Sequence, residues 1–175
     1  MALTPAFLVA CSLLTLAGVA KVSGRAATRS ALGAIGVSVP AAAVPVLGML
    51  EVAVGVWAAL RPSPLTGALV AAAYASFCAF LLVQARANGT AADCGCFAGS
   101  RVRSGGLHLA LNAIACVFAT LVALHPSHGL PWMLTRSVLV SFTLGVGTAG
   151  AAFGAYLAYT VVPEAWRAYG VGVKT

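Results

Sequence analysis

The sequence predicts an all-α integral membrane protein: a four-helix transmembrane bundle followed by a fifth, C-terminal transmembrane helix. Three observations carry this reading. Hydrophobic residues make up 61% of the 175 residues and charged residues only 7%, against about 25% charged in an ordinary soluble domain. So few charges cannot cover a soluble protein of this size without leaving large apolar patches in water. Apolar runs long enough to cross a hydrocarbon core of roughly 30 Å recur along the chain. The ten Lys and Arg sit at the ends of those runs, where anionic headgroups and cytoplasmic-side charge account for them. The formal net charge of +7 therefore points to a lipid bilayer. No basic face with interleaved aromatics is present, so no nucleic-acid partner is expected.

Span one is expected from about Pro5 to Val22, ending in Gly18-Val19-Ala20-Lys21. Leu8-Val9-Ala10-Cys11 resembles a lipoprotein cleavage box. No Lys or Arg precedes the run, however, and Cys11 comes too early for a normal signal, so the span is read as retained. Ser23 to Val44 carries Arg25 and Arg29 and a weak apolar stripe at Leu32, Ile35 and Val39. It reads as a helix lying in the interface and ended by Pro40. Span two, about Pro45 to Leu60, contains Glu51, and Arg61-Pro62-Ser63-Pro64 is a stiff turn. Span three, about Leu65 to Ala85, has Cys78 near its middle, and span four, about Leu107 to Leu124, bears His108, Asn112 and Cys116. After the turn His125-Pro126-Ser127-His128-Gly129, span five is expected from about Trp132 to Val161, as the longest. Gly150 and Gly154 there form a small-xxx-small pair suited to close helix packing. Pro163 to Thr175 reads as a short amphipathic tail.

Between spans three and four lies a polar island, Ala92-Asp93-Cys94-Gly95-Cys96-Phe97. Cys94 and Cys96 are close enough to meet, and Gly95 supplies the backbone freedom a small ring needs. A disulfide closed over one residue is strained and labile, which suits a bond made and broken in turnover. Arg101 or Arg103 can lower a thiol pKa, and His108 can carry a proton. Two thiolates also fit a soft metal, with His108 or Asp93 completing the set. No second Cys pair is near in sequence, so no metal is assigned.

Cys11, Cys78 and Cys116 read as small apolar side chains of packed helices. Glu51 is a costly charge inside a span, and Lys21 can meet it by reaching inward. That pair serves either as a proton or substrate site or as a tie between the first two spans. His125 and His128 read as an ordinary polar turn. With five spans, the thiol segment shares a side with Lys21, Arg25, Arg29, Arg86, Arg101, Arg103, Arg167 and Lys174, and the other side holds Arg61 and Arg136. The positive-inside rule then places the thiols at the cytoplasmic face. Disulfide-forming chemistry is expected on the outer face instead, so the two arguments disagree.

These residues resemble the MauE-type membrane proteins, related in layout to DoxX/DoxD-like proteins. The resemblance rests on Ala17-Gly18-Val19-Ala20-Lys21, on Leu50-Glu51-Val52-Ala53-Val54-Gly55 reached through Gly36-Val37 and Pro40, and on the Cys-Gly-Cys-Phe segment. Ala98 intervenes before Gly99, and Asn112 follows Leu111 rather than a basic residue; both depart from the family pattern. The resemblance implies a MauE-like four-helix core over residues 1–125 and a role in maturing disulfide-containing partners, often with a thioredoxin-like companion. Residues 126–175 add the fifth span and the tail.

The expected function is thiol–disulfide exchange with a thioredoxin-like or client protein, from the cytoplasmic membrane of a bacterium. Cys94 and Cys96 are the candidate catalytic pair. Asp93, Phe97, Arg101, Arg103, His108, Lys21 and Glu51 are the supporting residues, and a quinone is a candidate electron acceptor. The rivals are a non-enzymatic membrane assembly subunit with structural or metal-binding thiols and a small transporter using Glu51 and Lys21.

Overall fold

In the computed structural model, residues 3–88, 106–125 and 127–161 are described. Among these residues seven helices follow one another: α1 (Leu3–Ser23), α2 (Arg25–Gly33), α3 (Ala43–Leu60), α4 (Pro64–Asn88), α5 (Gly106–Leu124), α6 (Leu130–Leu134) and α7 (Val138–Thr160). Five of them, α1, α3, α4, α5 and α7, are long and apolar enough to cross a membrane. The chain is an all-α, multi-pass membrane protein. With no water in the hydrocarbon, helices satisfy every backbone N–H and C=O internally, which is why spans take this form.

Two antiparallel pairs, α1 with α3 and α4 with α5, make most of the packing, and α1 also meets α5 and α7. α1 is the most buried span and α7 the least. The core joins Phe7, Cys11 and Leu14 of α1 to Ala58, Val70, Tyr74, Ala119 and Val122. Between apolar helices in lipid there is little hydrophobic drive, so association rests on close packing at small residues. The structure obeys this at Gly18, Gly48, Gly55 and Gly67, where an added Cβ would lie 2.4–2.6 Å from a neighbouring helix. Deep in the interface, the Tyr74 hydroxyl donates to the Ala10 carbonyl at 2.7 Å.

Three expectations are corrected. α2 spans nine residues and stops at Gly33, well before Pro40. The reason is Gly36, with φ at 78°. Val37 N–H bonds Leu32 O at 3.0 Å and Gly36 N–H bonds Gly33 O at 3.0 Å, the paired bonds of a Schellman stop with glycine in its left-handed position. Ile35 and Val39 therefore lie beyond the helix, and its buried face is Thr28 and Ala31.

The fifth span does not begin at Trp132. A five-residue helix, α6, precedes a break, and α7 begins after Ser137. Arg136 lies over the Trp132 ring at 4.2 Å, and His128 stacks on the same ring at 4.4 Å. A charge held on an interfacial aromatic cannot enter the hydrocarbon, so the span restarts beyond it. α7 has 23 residues, and α4 is the longest span with 25. Among the described residues nothing lies within 4 Å of a Cβ added at Gly150 or Gly154, so they pack against none of the helices α1–α6.

Candidate functional site

Lys21 and Glu51 come together. Lys21 Nζ lies 2.7 Å from Glu51 Oε2, and each side chain is 5% exposed. The local sequence explains the meeting. Each charged residue stands three positions after a glycine, in Gly18-Val19-Ala20-Lys21 and Gly48-Met49-Leu50-Glu51. The two glycines face each other so closely that a Cβ on Gly18 would sit 2.5 Å from the Gly48 carbonyl oxygen. Backbone contact at that level lets Lys21, near the end of α1, reach back along the helix to an acid two turns inside α3; helical side chains lean toward their own N-terminus. The ammonium also lies 4.8 Å from the Phe77 ring centroid, so α4 closes the third side. Glu51 Oε1 is buried with no hydrogen-bond partner among the described residues.

His108, on the first turn of α5, is 2% exposed. Its Nε2 is 3.1 Å from the Tyr159 carbonyl oxygen of α7, and the two rings meet edge to face at 5.2 Å. One turn on, the Asn112 carboxamide donates to the His108 carbonyl at 2.7 Å. Gln84, fully buried near the end of α4, donates to the Ala31 carbonyl of α2 at 3.4 Å and so ties the short helix to the bundle.

Buried polar groups are unevenly placed. Lys21, Thr28, Gln84, His108 and Asn112 all lie toward the end of the bundle where α4 finishes and α5 begins, with Thr4 and Thr66 at the other end. Residues 89–105 link α4 to α5 from that polar end. Cys94, Cys96, Asp93, Phe97, Arg101 and Arg103 fall in this linker, outside the described residues.

The remaining thiols stay apart from that end. Cys11 is wholly buried in the core, while Cys78 and Cys116 line an apolar groove of about 560 Å³ between α4 and α5. The Cys116 thiol donates to the Ala71 carbonyl at 3.5 Å. No cluster of three or more His, Cys, Asp or Glu side chains able to hold a metal occurs among the described residues.

Sequence reasoning missed Gln84, Phe77, Tyr74 and Tyr159. A polar or aromatic side chain inside an apolar span was the available signal for all four, but none of their partners could be named from sequence, since those partners lie on other helices.

Five membrane-length helices, with a buried Lys–Glu pair between α1 and α3 and a linker bearing Cys94 and Cys96 between α4 and α5 in the sequence, define a multi-pass membrane protein. Residues 1–126 match the family model for methylamine utilisation protein MauE. The chain belongs to that family. The match runs through α5 and leaves α6 and α7 outside it. No curated protein and no solved structure matches the chain.

Proposed function

We propose that this chain is a thiol–disulfide exchange protein of a bacterial cytoplasmic membrane, with Cys94 and Cys96 as the reacting pair. The observation that carries the reading is the gathering of buried Lys21, Gln84, His108 and Asn112 toward the end of the bundle from which the Cys94-Gly95-Cys96 linker springs. Buried polar groups within membrane spans are costly and tend to mark function. Family membership adds to this, since the Cys-Gly-Cys-Phe segment is among the residues that carry the resemblance.

In the exchange, a thiolate of the reduced pair attacks a disulfide of the partner and releases one partner thiolate. The second cysteine then attacks the mixed disulfide, leaving the pair oxidised and the partner fully reduced. Run backwards, the same steps oxidise the partner. The partner is a thioredoxin-like protein or a client whose maturation needs disulfides, and methylamine utilisation is the setting the family's description suggests. Net oxidation of clients requires a further acceptor for two electrons and two protons, for which a membrane quinone is the candidate.

The test is thiol trapping in intact cells with a membrane-impermeant alkylating reagent, before and after mild reduction. Labelling of Cys94 and Cys96 that depends on prior reduction supports the reading. Labelling confined to opened membranes would assign the pair to the cytoplasmic face, as the charge distribution predicts. Identical labelling in both redox states removes the exchange function and leaves a membrane assembly subunit.

A further inference from the structure

α2 lies at one face of the bundle, between the end of α1 and the start of α3. Thr28 and Ala31 are its buried residues, and the Gln84 bond to the Ala31 carbonyl holds that side against the spans. Arg25 and Arg29 are exposed and stand four residues apart, one above the other on the helix surface. Like charges at that spacing repel. The chain has only three acidic residues to answer them. Glu51 is bound to Lys21, and Asp93 and Glu164 lie outside the described residues. Among the described residues the Arg29 guanidinium has no ion pair and no hydrogen bond.

A cavity of about 410 Å³ opens beside that guanidinium, walled by Arg29, Ser30 and Gly33 of α2 and by Gly36, Ser38 and Val39 of the segment that follows. Its size falls within the roughly 300–1,000 Å³ of small-molecule clefts. The left-handed turn at Gly36 creates it, because the chain bends there and residues 36–39 become the second wall. A Cβ added at Gly33 or Gly36 would meet nothing among the described residues, so both walls are bare backbone at these points. The Ser30 and Ser38 hydroxyls have no hydrogen-bond partner among the described residues. The polar side chains of the cavity are thus one guanidinium and two hydroxyls, with no carboxylate.

We propose that this cavity binds the phosphate of an anionic phospholipid headgroup, with Arg29 as the principal contact and Ser30 and Ser38 as further donors. A guanidinium offers a phosphate two parallel N–H bonds, and hydroxyls complete its remaining oxygens. The setting selects a lipid. α1 ends and α3 begins on either side of α2, and both are membrane-length helices, so the cavity lies at headgroup level. Exposed Arg25, Arg29 and Arg86 lie at this end of the bundle, against Arg61 and Arg136 at the other. The positive-inside rule makes this the cytoplasmic leaflet, where anionic lipids attract such charges. Val37 and Val39 add apolar surface beside the donors, where the glycerol and upper acyl chains of a lipid would rest and a free phosphate would gain nothing. The proposal does not depend on the thiol-exchange reading.

The experiment is native mass spectrometry of the full-length protein in detergent, titrated with phosphatidylglycerol or phosphatidylcholine. The wild type is expected to retain phosphatidylglycerol in preference, and inorganic phosphate should not displace it. Arg29→Gln removes the guanidinium and should weaken phosphatidylglycerol binding by about tenfold or more, the loss of a hydrogen-bonded charge contact. Arg25→Gln removes an equal charge from the same helix but no wall of the cavity, and should cost about fivefold at most. Arg29→Lys keeps the charge without the fork and should fall between wild type and Arg29→Gln. Gly33→Leu keeps every charge, fills the cavity and should abolish the preference. Arg29 is exposed, so its replacement leaves the packing of the spans intact. Equal losses in Arg25→Gln and Arg29→Gln would reduce the effect to surface charge and overturn the site. Equal retention of the two lipids by the wild type would do the same. Displacement of phosphatidylglycerol by inorganic phosphate would assign the cavity to a soluble phosphate and overturn the lipid occupant.

Discussion

Lys21 and Glu51 form an ion pair of 2.7 Å inside the bundle, and each follows by three residues one of two glycines that press α1 against α3. The pair and the glycines act as a unit. The glycines set the distance between helices, and that distance lets a lysine near a helix end reach an acid two turns inside its neighbour.

Removing either partner alone leaves an uncompensated charge in an apolar interior. Lys21→Met or Glu51→Leu is therefore expected to cost about 3–5 kcal/mol, read as a lower unfolding temperature in detergent. The double substitution Lys21→Met with Glu51→Leu should recover most of that loss, because apolar groups of similar volume replace a buried pair at little cost. Thiol exchange measured on the folded double variant then separates a tie between helices from a functional site. Full activity in that variant makes the pair a tie.

Glycine substitutions should divide sharply. A Cβ at Gly18 or Gly48 would lie 2.5 or 2.6 Å from the opposing carbonyl oxygen, so Gly18→Ala or Gly48→Ala is expected to cost about 1–3 kcal/mol through overpacking. At Gly150 and Gly154 nothing among the described residues lies within 4 Å. Alanine there should leave the unfolding temperature unchanged or slightly raised, as helix propensity predicts. Equal effects at the two sets of sites would contradict the packing described.

At the end of α2, Gly33→Ala and Gly36→Ala should act in opposite directions. Gly33 is helical with open space around it, and alanine there should favour the helix by about 0.5–1 kcal/mol. Gly36 has φ at 78°, and alanine in the left-handed region costs about 1–2 kcal/mol. Hydrogen exchange of the amides in residues 25–37 gives the readout, slower in the first variant and faster in the second.

Cys94→Ser and Cys96→Ser, made singly, should differ. The variant that keeps the attacking cysteine and lacks the resolving one is expected to accumulate a covalent complex with its partner on non-reducing gels, released by dithiothreitol. The double variant should form none. Absence of a complex in both single variants would argue against exchange.

Much of the fold was legible in the residues. Apolar length marked the spans, and Glu51 inside one of them called for a cation that Lys21, at the end of the first span, could supply by reaching inward. The stop at Gly36 was also written locally, in a glycine followed by Val37, yet Pro40 drew attention from it. A proline marks where a helix cannot continue, whereas the left-handed glycine marks where this one ends. The break before α7 was legible only once Trp132, His128 and Arg136 were seen to stack, since no apolar count registers a cation resting on a ring.

By itself the sequence determined the solvent, the number of spans, the thiol segment and the charges that must be reconciled inside the bundle. Each of these follows from composition and spacing along one chain, where transfer energies are local and additive. Only the tertiary structure decided which helix sits at the centre, which glycines are contacts and which are bare, and that His108 meets Tyr159. Those depend on which faces of distant helices are pressed together. Lipid rewards apolar faces almost equally, so the choice falls to close packing and a few hydrogen bonds that no single helix contains.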